Sequence, residues 1–194
     1  MRGLLVYLRR HYPEARRYVL DSTDDPDMVR MIPDALQVTG NTMPDRLRDS
    51  NKTLVWTPKN GKLPITYNTW FEMLNDSREP QIVIIDEIAS ITGEALEGLE
   101  GMLKQLRKHG GTVICLTQEI GKVDTTIFGQ LTHFVQFFLN PKSYDLSQAR
   151  NFLGIEKHEQ RPPRFQHGFF YRKTRGNYPM KEYRDLHEFF NSSI

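Results

Sequence analysis

Apolar positions along this chain follow two periods, and the alternation between them predicts the fold. Gln81-Ile82-Val83-Ile84-Ile85 runs with no internal polar break into Asp86-Glu87. A continuous β-branched run of this kind reads as a strand covered on both faces, as parallel strands are beneath their helices. Thr112 to Leu116 repeats the design and ends in Thr117-Gln118, Arg17 to Leu20 leads into Asp21, and Lys52 to Trp56 and His133 to Leu139 are further strands. Elsewhere the spacing is helical. Met1, Leu4, Leu5, Leu8 and Tyr12 share one face of an N-terminal helix ended by Pro13, and Trp70, Phe71 and Leu74 mark a second helix over Tyr67 to Leu74. Leu96, Leu99, Leu103 and Leu106 form a stripe along a third, Gly93 to His109. In that helix Glu94, Glu97 and Glu100 come early and Lys104, Arg107, Lys108 and His109 late, as the helix dipole favours, and Gly110-Gly111 stops it.

The remaining segments are read from turn chemistry. Short helices are expected near Pro26 to Ile32 and Pro44 to Arg48, with a turn at Gly40-Asn41 between them. Asp145 with Gln148 is a capping-box-like start for a helix to Phe152, closed by Gly154. Phe165 to Arg172 and Met180 to Tyr183, around Arg175-Gly176-Asn177, make a C-terminal β-hairpin followed by an amphipathic segment. Helices alternating with apolar strands predict a three-layer, mostly parallel α/β sheet in one domain over 1–194, with the hairpin as a small appendage.

Composition narrows the classes. With 26 basic and 24 acidic side chains the net charge is +2, which argues neither for nor against nucleic acid. No apolar run reaches the ~18 to 20 residues of a membrane span, and no signal peptide is evident. The one cysteine, Cys115, excludes a disulfide framework, suits a reduced cytosolic setting and reads as core. No His or Cys pattern has metal-ligand spacing, and no nucleophile elbow supports a Ser-His-Asp site. Arg161, Arg164, Arg172, Lys173 and Arg175, interleaved with Phe165, Phe169, Phe170 and Tyr171, suit either nucleic-acid contact or the ordinary alternation of a hairpin.

The candidate chemistry sits at strand ends. In an open α/β sheet the carboxyl ends of the strands face the ligand crevice. There Asp86 would hold Mg²⁺ through its water shell and Glu87 would polarise a water, the Walker B pattern. The plain alternative is a strand end whose acids face solvent or cap the next helix. Asp21 either joins the site or caps a turn, and His133, Trp70 and His167 are most simply structural.

The order Ile82 to Glu87, Arg107 to Gly110, Val113 to Gln118 resembles the FtsK/HerA superfamily of P-loop ATPases, which pump DNA or pack viral genomes. Gly129-Gln130-Leu131-Thr132, the strand after it and the closing hairpin continue the likeness, which covers roughly residues 1 to 175. The resemblance implies a sheet of the P-loop NTPase (RecA/FtsK-like) type, ATP and Mg²⁺ as cofactors, double-stranded DNA as partner, a homo-oligomeric ring, and a place in the host cytoplasm or the virion. It makes Asp86 the Mg²⁺ ligand, Glu87 the acid that acts on water, Gln118 the residue that senses the γ-phosphate, and Arg107 a finger reaching a neighbouring subunit's nucleotide. The plain readings stay beside these: Gln118 satisfying backbone at a strand end, and Arg107 a last-turn cation.

One feature departs from the family. No Gly-x-x-x-x-Gly-Lys-Ser/Thr occurs, and Gly61-Lys62 is followed by Leu63 and lacks the upstream glycine. Residues 1 to 12 match the helix that follows the phosphate loop in this family, so the expectation is a chain beginning just after its N-terminal strand and loop. Three functions are compatible with these residues: a translocating or packaging ATPase, a non-hydrolysing phage-morphogenesis protein on the same fold, and an α/β nucleotide-binding protein outside the superfamily.

Overall fold

In the computed structural model, which describes residues 2–23, 25–32, 34–39, 52–58, 64–75, 79–136, 147, 151, 168–173 and 178–192, five apolar runs align as one parallel sheet. The strands are β1 (Arg16–Asp21), β2 (Ala35–Thr39), β3 (Thr53–Thr57), β4 (Gln81–Asp86) and β5 (Thr112–Cys115), in the spatial order β2-β3-β1-β4-β5. Every neighbouring pair is parallel. Helices α1 (Arg2–His11), α2 (Pro26–Met31), α3 (Pro64–Asn75) and α4 (Ala95–Lys108) complete a unit that extends from Met1 to Thr117.

Side-chain alternation along the strands divides the core into two layers. Val19, Val55, Ile82 and Ile84 pack with Leu5 and Leu8 of α1 and Met28 of α2 on one side. On the other, Trp56 of β3 stacks on Trp70 of α3, with ring centroids 5.2 Å apart, and Tyr67 and Phe71 extend the aromatic layer. Trp70 is therefore structural, as read. α4 lies close against α3: a Cβ added at Gly98 would stand 2.1 Å from Asn68 Oδ1 and 3.2 Å from Phe71 Cδ2. Its buried stripe is Ala95, Leu99, Met102 and Leu106, so two members of the expected stripe, Leu96 and Leu103, lie half-buried at its margin. The helix stops at Gly110, whose φ of 73° lets Gly111 N donate to Leu106 O at 2.7 Å, a close that favours glycine.

A second unit runs from Gln118 to Ile194. It holds α5 (Thr125–Phe128), an antiparallel sheet β6 (His133–Gln136), β7 (Phe169–Lys173) and β8 (Lys181–Tyr183), and α6 (Leu186–Ser192). Phe189 of α6 packs edge-on against Phe169, Tyr171 and Tyr183, so one aromatic cluster joins helix to sheet. The expected pairing of the C-terminal strands is present. β2, in contrast, was not read from the sequence: only Val38 of its five residues is buried, and a short edge strand carries little apolar signal. Gly40-Asn41, Pro44 to Arg48, Gly61-Lys62, Phe137 to Leu139, Arg161, Arg164, Phe165, His167 and Arg175 to Asn177 lie outside the described residues, as does all of the Asp145 to Phe152 helix but two positions.

At the amino edge of the large sheet, buried Arg17 is held from several sides. Its guanidinium donates to Thr53 Oγ1 at 3.3 Å and Ala15 O at 3.0 Å, and pairs with Asp34 Oδ2 at 3.5 Å. Asp34 also accepts from Thr53 Oγ1 at 3.1 Å, tying β1, β3 and the start of β2 together. Asp34→Ala removes the carboxylate that pairs with buried Arg17. Stability should fall by about 2 kcal/mol, less than the ~3 to 5 kcal/mol of breaking a fully buried pair because Asp34 keeps some water contact. Urea denaturation is the check, and an unchanged midpoint would show that the carbonyl contacts alone hold Arg17.

Candidate functional site

The sheet order places one crevice. From β1 the chain crosses to β2 on one side, whereas from β4 it crosses to β5 on the other, so connections diverge at the carboxyl ends of the adjacent strands β1 and β4. Their register pairs Asp21 with Asp86 at that edge. The polar residues of the edge come from four of the five strands: Asp21 ending β1 and Ser22 after it, Thr57 closing β3, Asp86 ending β4 and Glu87 after it, and Thr117 beyond β5.

Asp21, 1% exposed, is occupied by its own loop. Its Oδ1 accepts from Thr23 N at 3.3 Å, Thr23 Oγ1 at 3.1 Å and Asp25 N at 3.2 Å, and its Oδ2 from Thr57 Oγ1 at 3.4 Å. This is the turn-capping role. Asp25 in turn caps α2, accepting from Asp27 N at 2.9 Å with Pro26 beginning the helix. Ser22 closes the seam between the strands, its hydroxyl donating to Asp86 O at 2.7 Å. Asp86 is half-buried, and its pKa is raised, first by desolvation and then by the charges of Asp21, Glu87 and Asp25, with a Thr23 hydrogen bond opposing them. Neither Asp86 nor Glu87 caps a regular helix: the helical turn after them, Ile88–Ser90, takes no side-chain cap from Glu87.

Glu87 has φ 50° and ψ 63°, the one positive φ outside glycine among the described residues. A residue with a Cβ enters this region at a cost of about 1 to 2 kcal/mol. The main chain enforces it: Leu116 N donates to Ile85 O at 2.9 Å and Ile88 N to Leu116 O at 2.8 Å, gripping β4 on both sides of the acid pair. Thr117 Oγ1 donates to Glu87 Oε1 at 2.6 Å. Thr57, Ser22 and Thr117 were not assigned from the sequence, and the signal available was a hydroxyl residue closing or following an apolar strand.

Gln118 follows Thr117 directly, is exposed, and is the first residue of the second unit. Arg107 is exposed in the last turn of α4. That helix starts past the carboxyl end of β4 and runs 14 residues, about 20 Å, back to the amino end of β5. Arg107 thus lies at the opposite edge of the sheet from Glu87 in its own chain. Burial pushes the Cys115 thiol up to about 12, so it stays protonated and unreactive, although the residue is half-buried and not part of the fully buried core expected for it. His133 stacks on Tyr171 with centroids 5.9 Å apart, a structural contact.

No protein-family model and no curated protein matches the chain. Solved structures do. The genome packaging NTPase B204 from Sulfolobus turreted icosahedral virus 2 in complex with ATP-gammaS superposes with a TM-score of 0.69 at 12% identity, over 94% of this chain and 88% of that one. The same protein with AMPPCP gives 0.63 at 14% identity, over 95% and 93%. The DNA-packaging ATPase B204 from Sulfolobus turreted icosahedral virus gives 0.68 at 14% identity, over 95% and 88%. The chain therefore has the P-loop NTPase fold expected from the resemblance, a parallel sheet flanked by helices with a small antiparallel sheet. No helix among the described residues is long and apolar enough to cross a membrane.

The strained electrostatics of the edge give a pH signature. A carboxyl whose folded pKa is raised binds its proton more tightly in the native state, so it favours folding below the ordinary carboxylate range and loses that contribution as pH rises through the raised value. Asp86→Asn should therefore raise the melting temperature at about pH 7, and the gain should vanish near pH 3, where both states are protonated. Thermal melts at the two pH values check this, and a gain equal at both would assign it to packing instead.

Proposed function

We propose that this chain, built on the fold of the packaging NTPases, is a subunit of an ATP-driven motor that moves double-stranded DNA. The observation that carries the reading is the acid pair Asp86-Glu87 at the carboxyl end of β4, beside the point where the chain connections diverge. Bound MgATP supplies the phosphoanhydride whose cleavage drives movement. Asp86 is proposed as the carboxylate that would hold Mg²⁺, which keeps most of its waters and takes only one or two carboxylates. No group of three or more acidic, His or Cys side chains among the described residues could enclose an ion, and the support is the negative field that raises the Asp86 pKa. Glu87 holds a water at its carboxylate and accepts its proton. Gln118, next along the chain from the edge, is proposed to read the γ-phosphate. Arg107, at the far edge of its own chain, is proposed to serve the site of a neighbouring copy in a ring, because its position supports action between subunits rather than within one.

A second reading is favoured by one observation: these 194 residues contain no Gly-x-x-x-x-Gly-Lys-Ser/Thr to cradle phosphates. On that reading the chain is an assembly protein that does not hydrolyse ATP. Phosphate release by the full chain, with MgATP and with or without double-stranded DNA, separates the two.

The motor reading expects Mg²⁺-dependent release, faster with DNA, at a nucleotide Kd near the millimolar range because the phosphate-cradling groups are few. Glu87→Gln should lower kcat by about 10² to 10⁴-fold and leave nucleotide affinity within about twofold, since Glu87 acts on the water. Asp86→Asn should weaken Mg²⁺-nucleotide binding by about tenfold. Arg107→Ala should cost about 10³-fold in turnover and regain part of it when mixed with Glu87→Gln subunits. No release at any ATP concentration, with DNA bound, would leave the assembly reading standing.

A further inference from the structure

The contact between Thr117 and Glu87 is not explained by the strand-end roles assigned above, which pass over Thr117 in favour of Gln118. It joins the residue after the extension of β5 to the left-handed residue after β4, with hydroxyl and carboxylate oxygens 2.6 Å apart, within the range of a charge-assisted hydrogen bond. The main-chain grip of Leu116 on Ile85 and Ile88 brings the two side chains together, so the contact is built by the sheet and not by a loose loop. A carboxylate on a freely rotating side chain meets its target in only a fraction of its rotamers, whereas one anchored at one oxygen keeps a fixed plane. A hydroxyl does this with one donor and no added charge.

We propose that Thr117 is the positioning residue of Glu87, fixing its carboxylate in the orientation from which it engages water. The inference rests on the reading of Glu87 as the group that acts on water. Thr117 itself touches neither water nor nucleotide in this role.

The test has one arm without nucleotide and one with it. In thermal unfolding of the full chain, Thr117→Val should lower the melting temperature by about 2 to 4 °C. Thr117→Ser should restore it, and Thr117→Val should have no effect in a Glu87→Ala background. In turnover, Thr117→Val should lower kcat about tenfold with KM unchanged, and Thr117→Ser should recover it. An equal loss of melting temperature with and without Glu87 would overturn the proposal, as would normal turnover of Thr117→Val or an effect confined to KM. Normal turnover of Glu87→Gln would instead overturn the catalytic reading of Glu87, and the melting cycle would still decide whether Thr117 holds its side chain.

Discussion

Parallel pairing of β1 with β4 sets two carboxylates side by side at the end of the sheet, and the surrounding structure is arranged around that repulsion. Asp21 is absorbed into its own loop by backbone and hydroxyl donors from Thr23, Asp25 and Thr57. Asp86 keeps the burden, with its pKa raised by burial and by three neighbouring acids. The same pairing lets Ser22 bind the carbonyl of Asp86, so the seam that concentrates negative charge is also stitched across it. A half-buried carboxylate held beside other acids is costly, so the crowding at Asp86 marks this edge as the place where the fold departs from what stability alone favours.

The two ends of the sheet divide the labour. At the amino edge a buried cation, Arg17, is matched by Asp34 and by carbonyl and hydroxyl acceptors, a closed network that locks strand order. At the carboxyl edge Asp86 lies in the field of Asp21, Glu87 and Asp25, and the backbone turns left-handed at Glu87.

The long apolar strands and the three long helices were legible because each carries a period that physics can read: unbroken β-branched runs for β4 and β5, a four-leucine stripe for α4. β2 was not, since an edge strand of five residues with one buried side chain leaves almost no pattern. The acid pair was legible as chemistry, from two carboxylates after a buried strand. What surrounds it was not: Ser22, Thr57 and Thr117 meet the acids only through strand register, across 64, 36 and 30 positions of sequence. That Arg107 lies at the opposite edge of the sheet from Glu87 in its own chain follows only from the course of α4 back along the sheet.

Because the polar edge is written in register at the strand ends, its tolerance to change is sharply uneven. Segments between strands, beyond the first few residues that cap Asp21 and bind Asp86, can change length with less consequence than the strands themselves. A single residue inserted within β4, by contrast, would turn every side chain beyond it to the opposite face and carry Asp86 out of line with Asp21. Descendants of this chain should therefore differ in length between strands and keep the spacing from each apolar run to its polar end, so lineages too diverged for pairwise identity remain comparable by counting along strands.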